Sequence, residues 1–169
     1  PMLTRALAVG ILSVVASAQV RPPAIPLAVA NPFLSVWSRS DRLTDSWPTH
    51  WSGTTMGICG MVMVDGKPYR WCGVSPSNVP AAEQISVKVE ALSTTYAFRA
   101  GGVDLEVSFV TPALPSNPEY ASWAGTVIYY GVNNADANGH VVTFYVDFSR
   151  SEEHTSELQS HSDLVCRLL

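Results

Sequence analysis

The chain has 169 residues and a formal net charge of −4; 47% of its residues are hydrophobic and only 14% are charged. Domains that bind nucleic acid are basic, so this mildly acidic balance excludes nucleic acid as a partner. Few charges, many β-branched and aromatic residues, and frequent Pro and Gly favour an all-β extracellular protein of one domain at most.

Residues 1–18 have the pattern of an export signal. Arg5 supplies a positive start, residues 6–15 form an apolar run, and residues 16–18 read Ala-Ser-Ala, the small-x-small pattern of a cleavage site. The run is too short to span a bilayer comfortably as a helix, and a buried N-terminal helix is the alternative. Export predicts a secreted or periplasmic protein that leaves the membrane after signal cleavage and can form disulfides.

Residues 19–53 should comprise a proline-rich arm and a tryptophan-rich loop. Pro22, Pro23 and Pro26 fix φ and withhold backbone donors, and the residues around them show no alternation, which predicts an extended arm. A short strand at residues 33–37 should follow, and an irregular loop should come after it.

The tryptophan-rich segment, residues 31–53, holds Trp37, Trp47 and Trp51 together with His50. Flat rings beside arginines and carboxylates suit packing against a sugar, an amino acid or a neighbouring domain. The alternative is that the tryptophans anchor an irregular segment on a β core while His50 makes a structural hydrogen bond. We take these four residues as the candidate substrate-rim or domain-interface residues.

The clearest strand pair runs from residues 58–64 into residues 67–72 through Asp65-Gly66, a connection that favours a type I′ hairpin. This turn fixes the register. The expected pairs are Val64 with Lys67, Met63 with Pro68, Val62 with Tyr69, Met61 with Arg70, and Cys59 with Cys72. The expected core face consists of Val62, Val64, Tyr69 and Trp71.

Cys59 and Cys72 would then face each other in a non-hydrogen-bonded pair, with a Cα separation of about 4.5 Å that suits a disulfide. Since the hairpin already closes this short loop, the disulfide would add only about 1–2 kcal/mol of stability. Two free buried thiols are the alternative.

A second hairpin is expected from residues 94–100 and 103–111, with Gly101-Gly102 as its turn. Its apolar face should consist of Tyr96, Phe98, Ala100, Val103, Leu105 and Val107. On the other face, Asp104 and Glu106 are reminiscent of the carboxylate pair of glycoside hydrolysis. They alternate with core residues on a solvent-facing strand, however, and Arg99 compensates at least one of them.

The segments that follow complete the expected fold. Residues 84–90 form a weaker alternating strand, and residues 120–130 should pair with residues 140–149 around a polar loop, which makes His140 a half-exposed turn residue. About eight short strands with turn signals between them predict an incomplete antiparallel β-sandwich over residues 54–149. One apolar face and one strand edge should be left open.

Residues 150–160 read Arg-Ser-Glu-Glu-His-Thr-Ser-Glu-Leu-Gln-Ser, the translation of a common sequencing-library adapter. So long a match by accident is very improbable. We therefore expect residues 150–169 to be an artefactual tail, which would exclude His154, His161 and Cys166 from any evolved site. A short polar helix is the alternative.

Several motifs occur in a fixed order. They are Pro-Ala-Ile-Pro-Leu-Ala-Val at 23–29, Asn-Pro-Phe-Leu-Ser-Val-Trp at 31–37, Trp-Pro-Thr-His-Trp at 47–51 and Val-Asp-Gly-Lys-Pro-Tyr-Arg-Trp at 64–71, with looser matches at 107–109 and 140–147. Together they resemble the N-terminal region of the glutaminase A-like family, which comprises secreted amidohydrolases of fungi and bacteria. The resemblance implies hydrolysis of glutamine to glutamate and ammonia by the intact protein. It also implies a large helical toroid domain as partner, which has no counterpart here and should supply most catalytic groups.

Motifs for nucleophilic, metal or phosphate chemistry are absent from the sequence: it has no Gly-x-Ser-x-Gly, His-Glu-x-x-His, phosphate-binding glycine loop or Cys-x-x-Cys. We therefore expect no catalytic residue, metal or cofactor here, and an inactive fragment whose intact parent acts on a small-molecule amide. Two other functions fit the sequence. One is the N-terminal sandwich of a secreted glycoside hydrolase with a helical toroid domain, and the other is a non-catalytic interface or binding module.

Overall fold

The structure is a computed structural model that describes residues 22–122, 125–136 and 138–148. These residues form an all-β fold with one four-residue helix, α1 (Pro118–Ala121), which is too short to cross a membrane. The strands are β1 (Ile25–Val29), β2 (Ser35–Ser38), β3 (Thr49–His50), β4 (Ile58–Val64), β5 (Lys67–Cys72), β6 (Glu83–Val89), β7 (Ser93–Ala100), β8 (Val103–Val110), β9 (Val127–Asn134) and β10 (Val142–Phe148).

The strands form three antiparallel sheets. Sheet A has the order β1-β2-β3, sheet B the order β10-β4-β5, and sheet C the order β6-β7-β8-β9. The apolar faces of sheets B and C contribute to one continuous core, which sheet A extends. The architecture is therefore the incomplete antiparallel β-sandwich that the sequence predicts.

Trp71 lies fully buried at the centre of this core. Its ring centroid is 6.1 Å from that of Phe98 and 6.4 Å from that of Phe109, both in sheet C, and it stacks on Phe144 at 5.3 Å. The same ring covers Gly60, where an added Cβ would collide with the indole. The Trp71 side chain thus links its own strand, β5, to β10 in sheet B and to β7 and β8 in sheet C.

The β4–β5 hairpin forms as predicted. Asp65 and Gly66 have φ values of 50° and 78°, which a type I′ turn requires at both central positions. The pairs predicted next to the turn are confirmed: Val64 with Lys67, Met63 with Pro68, Val62 with Tyr69 and Met61 with Arg70.

The prediction that Cys59 faces Cys72 is wrong. The register shifts between Gly60 and Met61, so Cys72 lies opposite Gly60. Both cysteines are free thiols in the structure, and the Cys59 Sγ donates to the carbonyl of Ser75 at 3.2 Å. Burial raises the pKa of both thiols, which favours their protonated form. A bulge removed the alignment on which the disulfide prediction depended.

The second hairpin is confirmed, with Gly101 and Gly102 at positive φ in the turn between β7 and β8. Arg99 lies opposite Asp104 on the outer face. The predicted inner face is buried throughout: Tyr96, Phe98, Ala100, Val103, Leu105 and Val107.

The predicted pairing of residues 120–130 with residues 140–149 is wrong. Tyr120 lies in α1, which Asn117 caps through its side chain, and β9 pairs with β8 while β10 pairs with β4. The connection between β9 and β10 therefore crosses from sheet C to sheet B. Each strand buries its apolar side on the shared core in this arrangement, which a two-stranded hairpin standing alone could not achieve.

The proline-rich arm is extended, as expected, but it is also paired. Residues Ile25–Val29 form β1 along β2, with a register shift between Pro26 and Ala28. A proline is tolerated at such an irregularity in an edge strand. The Pro26 carbonyl accepts from Thr94 Oγ1 at 2.7 Å, so the arm is fastened to sheet C.

The sandwich is open on one side, where β9 and β10 are edge strands of their sheets. Tyr130 stacks on Phe144 at 4.2 Å across the two sheets, yet 42% of Tyr130 stays exposed. Phe148 at the end of β10 is 44% exposed. Unpaired strand edges and exposed aromatic rings therefore lie together along this side.

Candidate functional site

The tryptophan-rich segment contributes two short strands, β2 and β3, to sheet A. Trp37 is the third residue of β2 and pairs with Thr49, while its indole Nε1 donates to Ser35 Oγ at 2.9 Å. His50 ends β3 and pairs with Val36. The strand pairing therefore fixes the backbone positions of two of the four candidate residues.

The carbonyl of Pro32 joins His50 to Trp51. It accepts from His50 Nε2 and from Trp51 Nε1, each at 2.9 Å. His50 Nδ1 lies 2.7 Å from Ser52 Oγ and also accepts from the Ser52 backbone N–H at 3.3 Å. Both imidazole nitrogens are thus engaged in holding this turn, with Nε2 as donor and Nδ1 as acceptor.

Two large aromatic rings next to this hydrogen-bonded turn face solvent. Phe33 is 88% exposed and Trp51 is 60% exposed. The Asn31 side chain accepts from the backbone N–H groups of Phe33 and Leu34 at 2.9 and 2.8 Å, which closes the turn that presents the Phe33 ring. We call Phe33 and Trp51 the aromatic surface. Hydrogen bonds hold the backbone around these two residues, while their rings are exposed to solvent.

Trp47 has a different environment. Its ring occupies the space that a Cβ at Gly73 would need, and Gly73 is at positive φ. The Gly73 N–H donates to the Leu43 carbonyl at 3.1 Å. Trp47 therefore helps to fasten the tryptophan-rich segment to the end of β5, in agreement with an anchoring role.

The loop between β2 and β3 is pinned from two sides. Arg70 in β5 donates through Nη1 to the carbonyls of Thr44, at 3.1 Å, and Gly73. Gln84 in β6 accepts from the Leu43 N–H at 2.9 Å and donates to the Asp41 carbonyl at 3.1 Å. An irregular backbone stretch is thereby supplied with partners that it could not find within itself.

The acid pair on β8 forms a surface ion pair. Asp104 accepts from Arg99 Nε at 2.8 Å and from Arg99 Nη2 at 3.1 Å, and this contact lowers the pKa of the carboxyl. An ionised, exposed carboxylate paired with arginine is a poor proton donor. Asp104 is thus the acceptor of a surface ion pair on the outer face of sheet C.

A charged cluster that the sequence did not reveal lies at the opposite end of sheet B. His140 Nδ1 is 2.6 Å from Asp65 Oδ2, and His140 Nε2 is 3.0 Å from Asp136 Oδ1. The His140 side chain is only 10% exposed, so it is more enclosed than the predicted turn residue. Asp65 lies 75 positions earlier in the chain, which is why no local motif indicated this contact.

Among the described residues, no group of three or more His, Cys, Asp or Glu side chains is placed to hold a metal ion. The features found in this part of the chain are instead anchoring hydrogen bonds, the aromatic surface of Phe33 and Trp51, and an ionic cluster in which His140 is largely covered. Together these features describe an all-β scaffold that presents two exposed aromatic side chains on a hydrogen-bonded turn.

Comparison with known proteins shows which families and relatives the chain is similar to. Residues 4–83 match a domain of unknown function (DUF4964), and residues 92–162 match a second domain of unknown function (DUF5127). The chain is 33% identical over 137 residues to "Glutaminase A" of Aspergillus oryzae, an alignment that covers 76% of the chain and 20% of that protein. It is 28% identical over 128 residues to a "Probable glutaminase" of Arthroderma benhamiae, which covers 65% of the chain and 15% of that protein.

The chain is therefore a glutaminase A-like N-terminal region, as its motifs indicated. It spans a fifth or less of the length of these curated relatives. No solved structure matches the chain.

Proposed function

We propose that this chain is the β scaffold of an exported glutaminase-like amidohydrolase, which hydrolyses glutamine to glutamate and ammonia. The observation that supports this most strongly is the 33% identity to a protein named glutaminase A over 137 residues. In this proposal the scaffold itself is inactive, and the reacting groups belong to the helical part of the intact protein.

The chemistry of amide hydrolysis supports this division. The reaction needs a nucleophile or activated water, donors for the oxyanion, and an acid that protonates the departing ammonia. Within the described residues, His50 is engaged with Pro32 and Ser52, and Asp104 with Arg99. His50 lies in sheet A and Asp104 in sheet C, so these two groups do not share one centre.

The aromatic surface has a role in this proposal. Phe33 and Trp51 would pack against the helical domain of the same protein or line the rim of its substrate site, with His50 holding the turn beneath them. Support comes from the exposure of the two rings, 88% and 60%, on a backbone that hydrogen bonds keep in place. Aromatic residues on a rigid turn are well suited to such contacts, because little conformational entropy is lost on docking.

The activity is tested with the full-length gene product, secreted and purified. We expect ammonia release from glutamine in a coupled glutamate assay, and no release of reducing sugar from a panel of glycosides. Sugar release without ammonia would instead support the glycoside hydrolase alternative, in which exposed Trp51 stacks on a sugar face. A protein without either activity would contradict the proposal.

A further inference from the structure

His140 lies between two carboxylates that can only accept hydrogen bonds. Its Nδ1 faces Asp65 Oδ2 at 2.6 Å, and its Nε2 faces Asp136 Oδ1 at 3.0 Å. A neutral imidazole carries one N–H, so it can satisfy only one of these carboxylates. Only the imidazolium ion donates to both. The geometry therefore selects the doubly protonated ring.

The three side chains connect parts of the fold that are far apart in sequence. Asp65 lies in the β4–β5 turn of sheet B, and its Oδ1 also accepts from the Val141 N–H at 2.9 Å, just before β10. Asp136 lies after β9 of sheet C and accepts from the Asn138 N–H at 2.8 Å. His140 thus joins both ends of the connection that crosses from sheet C to sheet B.

The β7–β8 turn closes the cluster from a third direction. A Cβ at Gly102 would lie 2.6 Å from Asp136 Oδ2 and 2.8 Å from His140 Nε2, so only a glycine leaves room for the contact. The Gly102 carbonyl also accepts from the Ala135 N–H at 2.9 Å. This turn therefore packs closely against the ionic contact and adds no charged group at Gly102.

We propose that Asp65, His140 and Asp136 form a proton-dependent clamp between sheets B and C, closed when His140 carries both protons and loosened when it loses one. The charged groups that face His140 within the described residues are these two carboxylates, one from the β4–β5 turn and one from the β9–β10 connection. Deprotonation would remove the imidazole donor from one of the two carboxylates, which keeps only its backbone N–H donor, and would loosen the crossing connection and the start of β10.

The expected pH dependence has two sides. Hydrogen bonds to Asp65 and Asp136 raise the pKa of His140 above its ordinary 6.5, so this contribution is complete below pH 6.5 and is lost as the pH rises through the folded-state pKa. The pKa of Asp65 is lowered by His140, and that of Asp136 by the Asn138 N–H and by His140. Their contribution is present above their ordinary pKa of 3.8 and is lost as the pH falls through the lowered folded-state values.

The direct test is an NMR titration of the His140 ring in the whole 169-residue chain, with the same residue in urea-unfolded protein as reference. We expect the folded midpoint to lie above the unfolded one, and Asp136→Asn to shift it back toward the unfolded value. Asp104→Asn is the matched control, since it removes an exposed, ion-paired aspartate from a different site and should leave the midpoint unchanged. A folded midpoint at or below the unfolded one would overturn the clamp.

A second readout follows unfolding. As the pH rises above 6.5 and through the folded-state pKa of His140, the wild-type chain should lose thermal stability, and His140→Gln should flatten this loss. Amide hydrogen exchange of Val141 should become faster at the higher pH in the wild type. Equal pH dependence in wild type and His140→Gln would contradict the proposal. If that variant does not fold, the Asp136→Asn titration decides.

Discussion

Gly60 has no side chain, and this leaves the space at the centre of the core that the Trp71 ring occupies. The Trp71 indole lies over it, and the resulting layer of aromatic rings reaches Phe98, Phe109 and Phe144. A glycine in a strand interior normally weakens the strand, so its presence in β4 needs a packing reason. The close approach of the ring supplies that reason.

Replacing Gly60 with alanine should therefore destabilise the chain by about 1–3 kcal/mol, because the new methyl group would displace a ring packed on three sides. Gly131→Ala in β9 is the matched control, since no atom lies within 4 Å of the position of its Cβ. Urea unfolding followed by tryptophan fluorescence measures both variants. A Gly60→Ala chain as stable as the control would show that the ring moves freely.

The cysteines and His140 show which features of single residues the sequence could not reveal. The β4–β5 turn chemistry predicted the register correctly as far as Met61, and the bulge after it shifted Cys59 away from Cys72. That bulge lies beside the Trp71 ring on Gly60, a packing constraint that turn residues do not encode. His140 found its partner Asp65 across 75 positions, beyond the range of any local pattern.

At the scale of the strands, the sequence predicted the two hairpins correctly and the pairing of the last two strands wrongly. Both predicted hairpins have two-residue turns with glycine, where local backbone preferences determine the pairing. The polar residues between β9 and β10 were also expected to join a strand pair, yet these strands lie in separate sheets. β9 pairs with the edge of β8 and β10 with the edge of β4, because each strand can then place its apolar side on the shared core.

The loop between β2 and β3 illustrates how one element supports another. Gln84 in β6 holds the backbone of this loop at both Leu43 and Asp41. Leu43 is 1% exposed, so its N–H has no alternative partner in solvent.

Gln84→Ala should therefore cost about 1–3 kcal/mol of stability, because it leaves a buried backbone donor unsatisfied. The amide of Leu43 should also exchange with solvent faster than in the wild type. Ile85→Ala, a change at a neighbouring residue that is 51% exposed, serves as control and should leave the exchange rate unaltered. Unchanged protection of Leu43 in Gln84→Ala would show that the loop is held by other contacts.

At the scale of the whole molecule, the aromatic surface should become buried in the full-length protein. We expect Trp51→Ala to cost the full-length protein about 2 kcal/mol or more, as a buried aromatic anchor does, but only about 1 kcal/mol in the isolated 169-residue chain. Differential scanning calorimetry of both forms provides the comparison.

Tyr129→Ala is the matched control, because Tyr129 is also 60% exposed but lies on sheet C. Its cost should be within about 0.5 kcal/mol in both forms, as for an ordinary surface substitution. Equal costs of Trp51→Ala in the two forms would remove the aromatic surface from the docking proposal while leaving the proposed activity untouched.

The assignment of the parent activity rests on sequence similarity to a fifth of a glutaminase, and the division of labour between scaffold and reacting domain follows from it. The most direct measurement is ammonia release from glutamine by the full-length protein and by the 169-residue chain, assayed side by side at equal molar concentration. The account predicts turnover by the full-length protein and none above background by the chain alone. Turnover by the chain alone, or its absence from the full-length protein, would contradict it.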